Sequence, residues 1–215
     1  TTSARQRATA SGHLAPPESA WHHVRMSIIR TVPAAEAEGY VAKIYAGDEA
    51  MYGYIASHTK LMTMNPEAYA AWQALVKSIA SGLGLRRYEL VTLAAARGIR
   101  SKHCLLAHGL RTLAVIDEPQ LLRIANDYRD AELSPAEVAM MEYAEKLSVD
   151  ASTMTNADSQ RLRDHGFSDR EIVDITLAAA ARNFYSRAIQ ALAAEVEDVP
   201  GVSQALAEAL LSPTR

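Results

Sequence analysis

The chain has 215 residues, 22 Lys and Arg against 25 Asp and Glu, a net charge of −3 with His neutral, and a single cysteine. One cysteine excludes an intramolecular disulfide, and with it a disulfide-stapled secreted scaffold. The slightly acidic balance gives no electrostatic footing for nucleic acid. No run reaches the roughly 18 apolar residues that a membrane helix needs, and the N-terminus lacks the order of basic, apolar and small residues that marks a secretory signal. No membrane partner and a cytoplasmic setting are therefore expected. Apolar residues make up 49% of the chain, with 8 Pro and 10 Gly, a composition that opposes wholesale disorder. The 40 alanines, against 2 Phe and 2 Trp, favour helices, because Ala loses no side-chain entropy there.

Residues 1–31 are rich in Thr, Ser, Ala and Pro and show no apolar period. They read as a flexible arm, in which His22-His23 is incidental. Residues 32–215 read as one domain. Ala34 to Ala46 places Ala37, Val41, Ile44 and Tyr45 on one helical face. Met51, Met62 and Met64 read as core filling. Asn65-Pro66-Glu67 pairs an N-cap residue with Pro at the first helical position. It opens a helix through Tyr69, Trp72, Val76 and Ile79 to Gly82. Arg86 to Arg100 and Ser101 to Val115 are the next two helices, and Asp117-Glu118-Pro119 starts another. Ser134-Pro135-Ala136-Glu137 and Ser168-Asp169-Arg170-Glu171 both match the capping box, in which Ser and Glu satisfy each other's free amides. The second opens a long helix through Ile172, Ile175, Leu177, Phe184 and Ile189, after a turn whose Gly166 suits positive φ. A last helix is expected at about 202–211. Nothing alternates like a strand, so the fold class is all-α.

Leu83-Gly84-Leu85-Arg86-Arg87-Tyr88-Glu89 is similar to His165-Gly166-Phe167-Ser168-Asp169-Arg170-Glu171, an offset of 82 residues. The same offset pairs Arg100 with Arg182. It reads as two related helical halves, about 32–116 and 117–198. Ser101, Cys104 and His108 then align with Asn183, Ser186 and Gln190. The second copy has neither thiol nor imidazole and reads as structural support for a site in the first.

The segment from Arg100 to His108 carries that candidate site. With Ser101 as N-cap, Cys104 is in the first turn of its helix, beside free amides and the positive end of the dipole. Such a place favours the nucleophilic thiolate. Lys102 and His103 add positive potential. His108, four residues on, shares a face with Cys104 and is placed to move a proton. Glu89 on the preceding helix is placed to orient that imidazole. The plainer readings stand beside these: a lone cysteine is often a small core residue, Ser101 caps a helix whatever the site does, and Glu89 complements a dipole. His103, Cys104 and His108 make a poor metal set, since neighbouring residues diverge around a helix and no fourth ligand is evident. No cofactor is implied.

The spacing Glu-x11-Cys-x2-Cys-x3-His resembles that of the carboxymuconolactone decarboxylase superfamily, and within it the AhpD-like alkylhydroperoxidases. Here Glu89, Ser101, Cys104 and His108 occupy the four positions, and His103 also fits. Leu133 to Glu137, Gly166 to Ile172 and Asn183-Phe184 resemble the peroxidase-related branch, and the resemblance extends over residues 32–198. It implies an all-helical, homo-oligomeric fold in which Cys104 attacks a small hydroperoxide while His108 and Glu89 relay the proton, His103 contributing. Ser101 stands where a resolving cysteine is expected, so no intramolecular disulfide cycle can run. Three outcomes follow. Cys104 works as a one-cysteine, antioxidant peroxidase recycled by an external thiol or thiol protein; the site is a cofactor-independent decarboxylase, lyase or isomerase for a small carboxylated metabolite; or the protein is a redox-inactive, oligomeric binding protein.

Overall fold

The computed structural model describes residues 27–212. The expected arm therefore falls mostly outside the described residues, His22-His23 entirely so. Ten α-helices and no strand are present among those described: α1 (Gly39–Tyr52), α2 (Ser57–Met62), α3 (Pro66–Leu83), α4 (Leu85–Gly98), α5 (Lys102–Thr112), α6 (Glu118–Asp127), α7 (Pro135–Val149), α8 (Asn156–Asp164), α9 (Asp169–Ala191) and α10 (Gln204–Leu211). None is long and apolar enough to cross a membrane.

The start signals act as their chemistry dictates. Asn65 caps α3 through the Ala68 amide at 3.0 Å, and Asp117 caps α6 through Gln120 at 2.8 Å. Both capping boxes close: Ser134 with Glu137 opens α7, and Ser168 with Glu171 opens α9. Gly166 turns the chain into α9 at φ 88°. The first expected helix is instead a 3-10 turn, Ala34–Glu36, and then α1, separated by the extended Ala37 and Glu38. Helices α2 and α8 are mostly polar and show no apolar period.

Helix α4 lies at the centre and packs on α3, α5, α7 and α9. Every residue from Tyr88 to Ala96 is buried. Small residues let its neighbours come close. A Cβ on Gly98 would lie 2.9 Å from the Glu145 carbonyl of α7, nearer than carbon and oxygen can pack. Met140, Met141 and Ala144 of α7, Ile175 and Ala179 of α9 and Leu121 of α6 complete the main core. A second, smaller cluster joins Leu61, Tyr69, Ala96, Cys104, Tyr185 and Ile189. The candidate site lies against this one.

Two apolar expectations fail. Met51 and Met64 are exposed, Met51 on a cavity rim, and of the three methionines only Met62 packs on a core. On α9, Leu177 and Phe184 are 42% and 54% exposed and share an outward face with Val173. The inward face of α9 is instead taken by Ile172, Ile175 and Ile189 together with the polar Asp174, Arg182 and Ser186.

Candidate active site

The chain breaks its helical course between α4 and α5. Ile99 ends α4, Arg100 adopts φ 53° and Ser101 becomes the first extended residue. The Ser101 amide bonds back to the Ala96 carbonyl at 2.9 Å, which clamps the turn. This turn sets Cys104 in the first turn of α5. Ser101 occupies the N-cap position without capping: its hydroxyl is buried and has no hydrogen-bond partner. The expectation of a side-chain cap is corrected: the hydroxyl lies in the interior and reaches none of the free amides.

Cys104 is 3% exposed and forms part of the wall of a cavity of about 670 Å³. His58, His103, His108, Arg111 and Arg182 share that wall with aromatic side chains from α1, α3, α4 and α9. The volume suits an organic molecule rather than water alone. Trp72 and Tyr185 stack at 4.3 Å between centroids, and Tyr69 stacks on Trp72.

Glu89 and His108 meet as expected. Glu89 Oε2 lies 2.5 Å from His108 Nδ1, and Arg111 Nε lies 3.1 Å from the other carboxylate oxygen. Burial alone would raise the Glu89 carboxyl, but His108, Arg111 and Arg182 outweigh it and hold it below the usual range. Burial and the Arg182 charge push His108 down to about 4, against the pull of Glu89. The pair is therefore a neutral imidazole on an ionised carboxylate at pH 7. Nδ1–H donates to Glu89, which leaves Nε2 as the basic nitrogen.

His108 makes no hydrogen bond to Cys104. The partners of Sγ are Ser186 Oγ at 3.0 Å and Arg182 Nη1 at 3.5 Å, both from α9. Sequence reasoning missed them as site residues. The offset of 82 had already aligned Ser186 with Cys104, and it is these two side chains that touch. Gln190, aligned with His108, donates to the carbonyls of Ile99 at 3.2 Å and Arg100 at 3.1 Å, and so fastens the break itself. His103 turns elsewhere. Its Nε2 bonds the Glu195 carbonyl, its ring meets that of His58 edge-on at 5.9 Å, and burial lowers its pKa, so it brings no positive charge to Cys104. Lys102 is exposed and absent from this cavity wall.

Among solved structures, an uncharacterized peroxidase-related protein from Ralstonia eutropha JMP134, described as an alkylhydroperoxidase AhpD core, matches with a TM-score of 0.70 at 19% identity, over 88% of this chain and 98% of that one. The chain has the AhpD-like fold. An uncharacterized peroxidase-related protein from Silicibacter sp. TM1040 matches with a TM-score of 0.66 at 23% identity, over 80% and 94%. A cysteine-to-alanine form of the debrominase Bmp8, in complex with 2,3,4-tribromopyrrole, matches with a TM-score of 0.67 at 15% identity, over 86% and 97%. No family model and no curated protein matches the sequence. The AhpD-like fold is thus shared with proteins of more than one described activity, and the chemistry has to be argued from the site.

Proposed function

We propose that the protein is a one-cysteine, thiol-dependent peroxidase that reduces organic hydroperoxides at Cys104. The observation that carries this reading is the placement of the chain's lone thiol on the wall of an aromatic-lined cavity shared with His108, whose Nδ1 is tied to Glu89. In the reaction the Cys104 thiolate attacks the terminal oxygen of the hydroperoxide. The S–O bond forms, the O–O bond breaks, and the alkoxide leaves as Cys104 becomes a sulfenic acid. The proton that completes the alcohol comes from solvent water and reaches the alkoxide through His108 Nε2, which is unprotonated at rest. One external thiol then displaces water from the sulfenic acid to give a mixed disulfide, and a second releases Cys104. Ser101 and the absence of a second cysteine require that outside reductant. The outward stripe of Val173, Leu177 and Phe184 on α9 supports self-association of the chain.

Peroxide consumption with cumene hydroperoxide and dithiothreitol tests the reading. The wild type consumes peroxide and Cys104→Ser falls to background, and one oxygen adds to wild-type mass when thiol is withheld. Equal rates in the two proteins would end the proposal. The Glu89–His108 pair also favours a second reading, acid–base lyase or isomerase chemistry on a small carboxylated molecule. That reading requires Cys104→Ser to keep the activity that His108→Gln loses.

A further inference from the structure

Arg182 is a guanidinium, always charged in proteins, and it is 4% exposed. A buried charge without a partner of opposite sign is costly. Among the described residues no carboxylate forms an ion pair with Arg182. Its neighbours are the rings of Trp72 and Tyr185, at 5.7 and 5.8 Å from the guanidinium carbon, and Sγ of Cys104 at 3.5 Å. Glu89, the nearby acid, is hydrogen-bonded to His108 and lies 3.1 Å from Arg111 Nε, and it feels the Arg182 charge without forming an ion pair with it.

The remaining groups around Cys104 leave the same gap. His58 on α2 is pushed down to about 4 by burial and by His103 and Arg182, and His103 and His108 on α5 are also lowered by burial. All three are uncharged at pH 7. Tyr69 on α3 and Tyr185 on α9 are pushed above the ordinary phenol range, chiefly by burial, and so stay neutral. Tyr88 on α4 is a neighbour of Arg182 as well. The ionisable groups in contact with Arg182 that can turn negative are the Cys104 thiol and the Tyr88 phenol, and a thiol is ordinarily the stronger acid.

We infer that Arg182 is the counter-ion that holds Cys104 as a thiolate, with the Ser186 hydroxyl donating to the same sulfur. Arg182 is then a catalytic residue, in contact with the reacting atom. The Cys104 ion pair runs to α9 and not to His108, which stays free as a base. The inference rests on the reading of Cys104 as the nucleophile, but the charge on sulfur can be measured without turnover.

With one cysteine in the chain, thiolate absorbance at 240 nm, taken as wild type minus Cys104→Ser, reports on that sulfur alone. At pH 7 the wild type shows the band. Arg182→Met loses most of it, and the pH at which the band develops moves upward. Iodoacetamide alkylation at pH 7 slows about tenfold or more, as expected when a cation within 4–6 Å is removed. Arg182→Lys keeps part of the band, and Ser186→Ala loses less than Arg182→Met. His108→Gln leaves the band in place. No thiolate band in the wild type at pH 7 overturns the inference whether or not a variant folds, and so does an unchanged titration in a folded Arg182→Met protein. A thiolate without peroxide turnover would sink the peroxidase reading and leave this one standing.

Discussion

The α4–α5 pair and helix α9 run in the same sequence register, yet one is broken and the other is continuous. In the pair, Arg100 takes positive φ and a new helix begins at Lys102, so Cys104 stands near a helix start. In α9 the aligned Arg182 is an ordinary helical residue, and Ser186 lies mid-helix. The break sets the position of the thiol. The unbroken helix supplies its surroundings: Arg182 and Ser186 on the sulfur, Gln190 on the open carbonyls of the turn. What the sequence presents as a degenerate copy acts as the opposite wall of the same site. A copy with neither thiol nor imidazole still places two side chains on the sulfur.

This contrast can be broken directly. Ser186→Cys places a second thiol on α9 where the oxygen now sits 3.0 Å from Cys104 Sγ. A disulfide needs the sulfurs at about 2.05 Å, a small further approach. Mild oxidation with diamide should leave the variant without free thiol in a dithionitrobenzoate titration, while the wild type keeps one thiol per chain. A variant that retains both thiols would show that the two helices do not face each other as described.

A weaker blow falls on the proton relay. Glu89→Gln removes the anion that accepts from His108 Nδ1 and leaves the geometry nearly unchanged. Peroxide turnover should drop about a hundredfold, in line with the loss of one acid–base partner, with little change in KM. The thiolate band at 240 nm should persist, because Arg182 and not Glu89 touches the sulfur.

The two helix starts also differ in what their serines contribute. Ser168 closes a capping box on α9, so Ser168→Ala should cost about 1 kcal/mol in urea unfolding. Ser101 holds the same position on α5 without capping, and its buried hydroxyl is unpaired. Ser101→Ala should therefore change stability by less than about 0.5 kcal/mol, or raise it slightly, since an unsatisfied buried group is removed. Equal losses in the two variants would mean that Ser101 caps after all.

Much of the scaffold was legible because it is written in local chemistry. Caps at Asn65, Asp117, Ser134 and Ser168, the glycine turn at Gly166 and the alanine content each act over one helical turn or less. The meeting of Glu89 with His108 was legible too, since two helices joined by a tight turn must pack together. Helices α2 and α8 were not, since their residues are mostly polar and show no apolar period. Nor were the outward Leu177 and Phe184 or the exposed Met51 and Met64, because hydrophobicity alone does not say which face of a helix finds a neighbour.

Local residue chemistry dictates that the chain is helical, where most helices begin, and that its thiol lies early in a helix with an imidazole four residues on. What surrounds the sulfur comes from the packing of distant helices. Arg182 and Ser186 lie 78 and 82 residues away along the chain, and no local rule links them to Cys104. Their contact depends on how α9 packs across the α4–α5 break, and a buried charge acquires its partner only when that packing is complete.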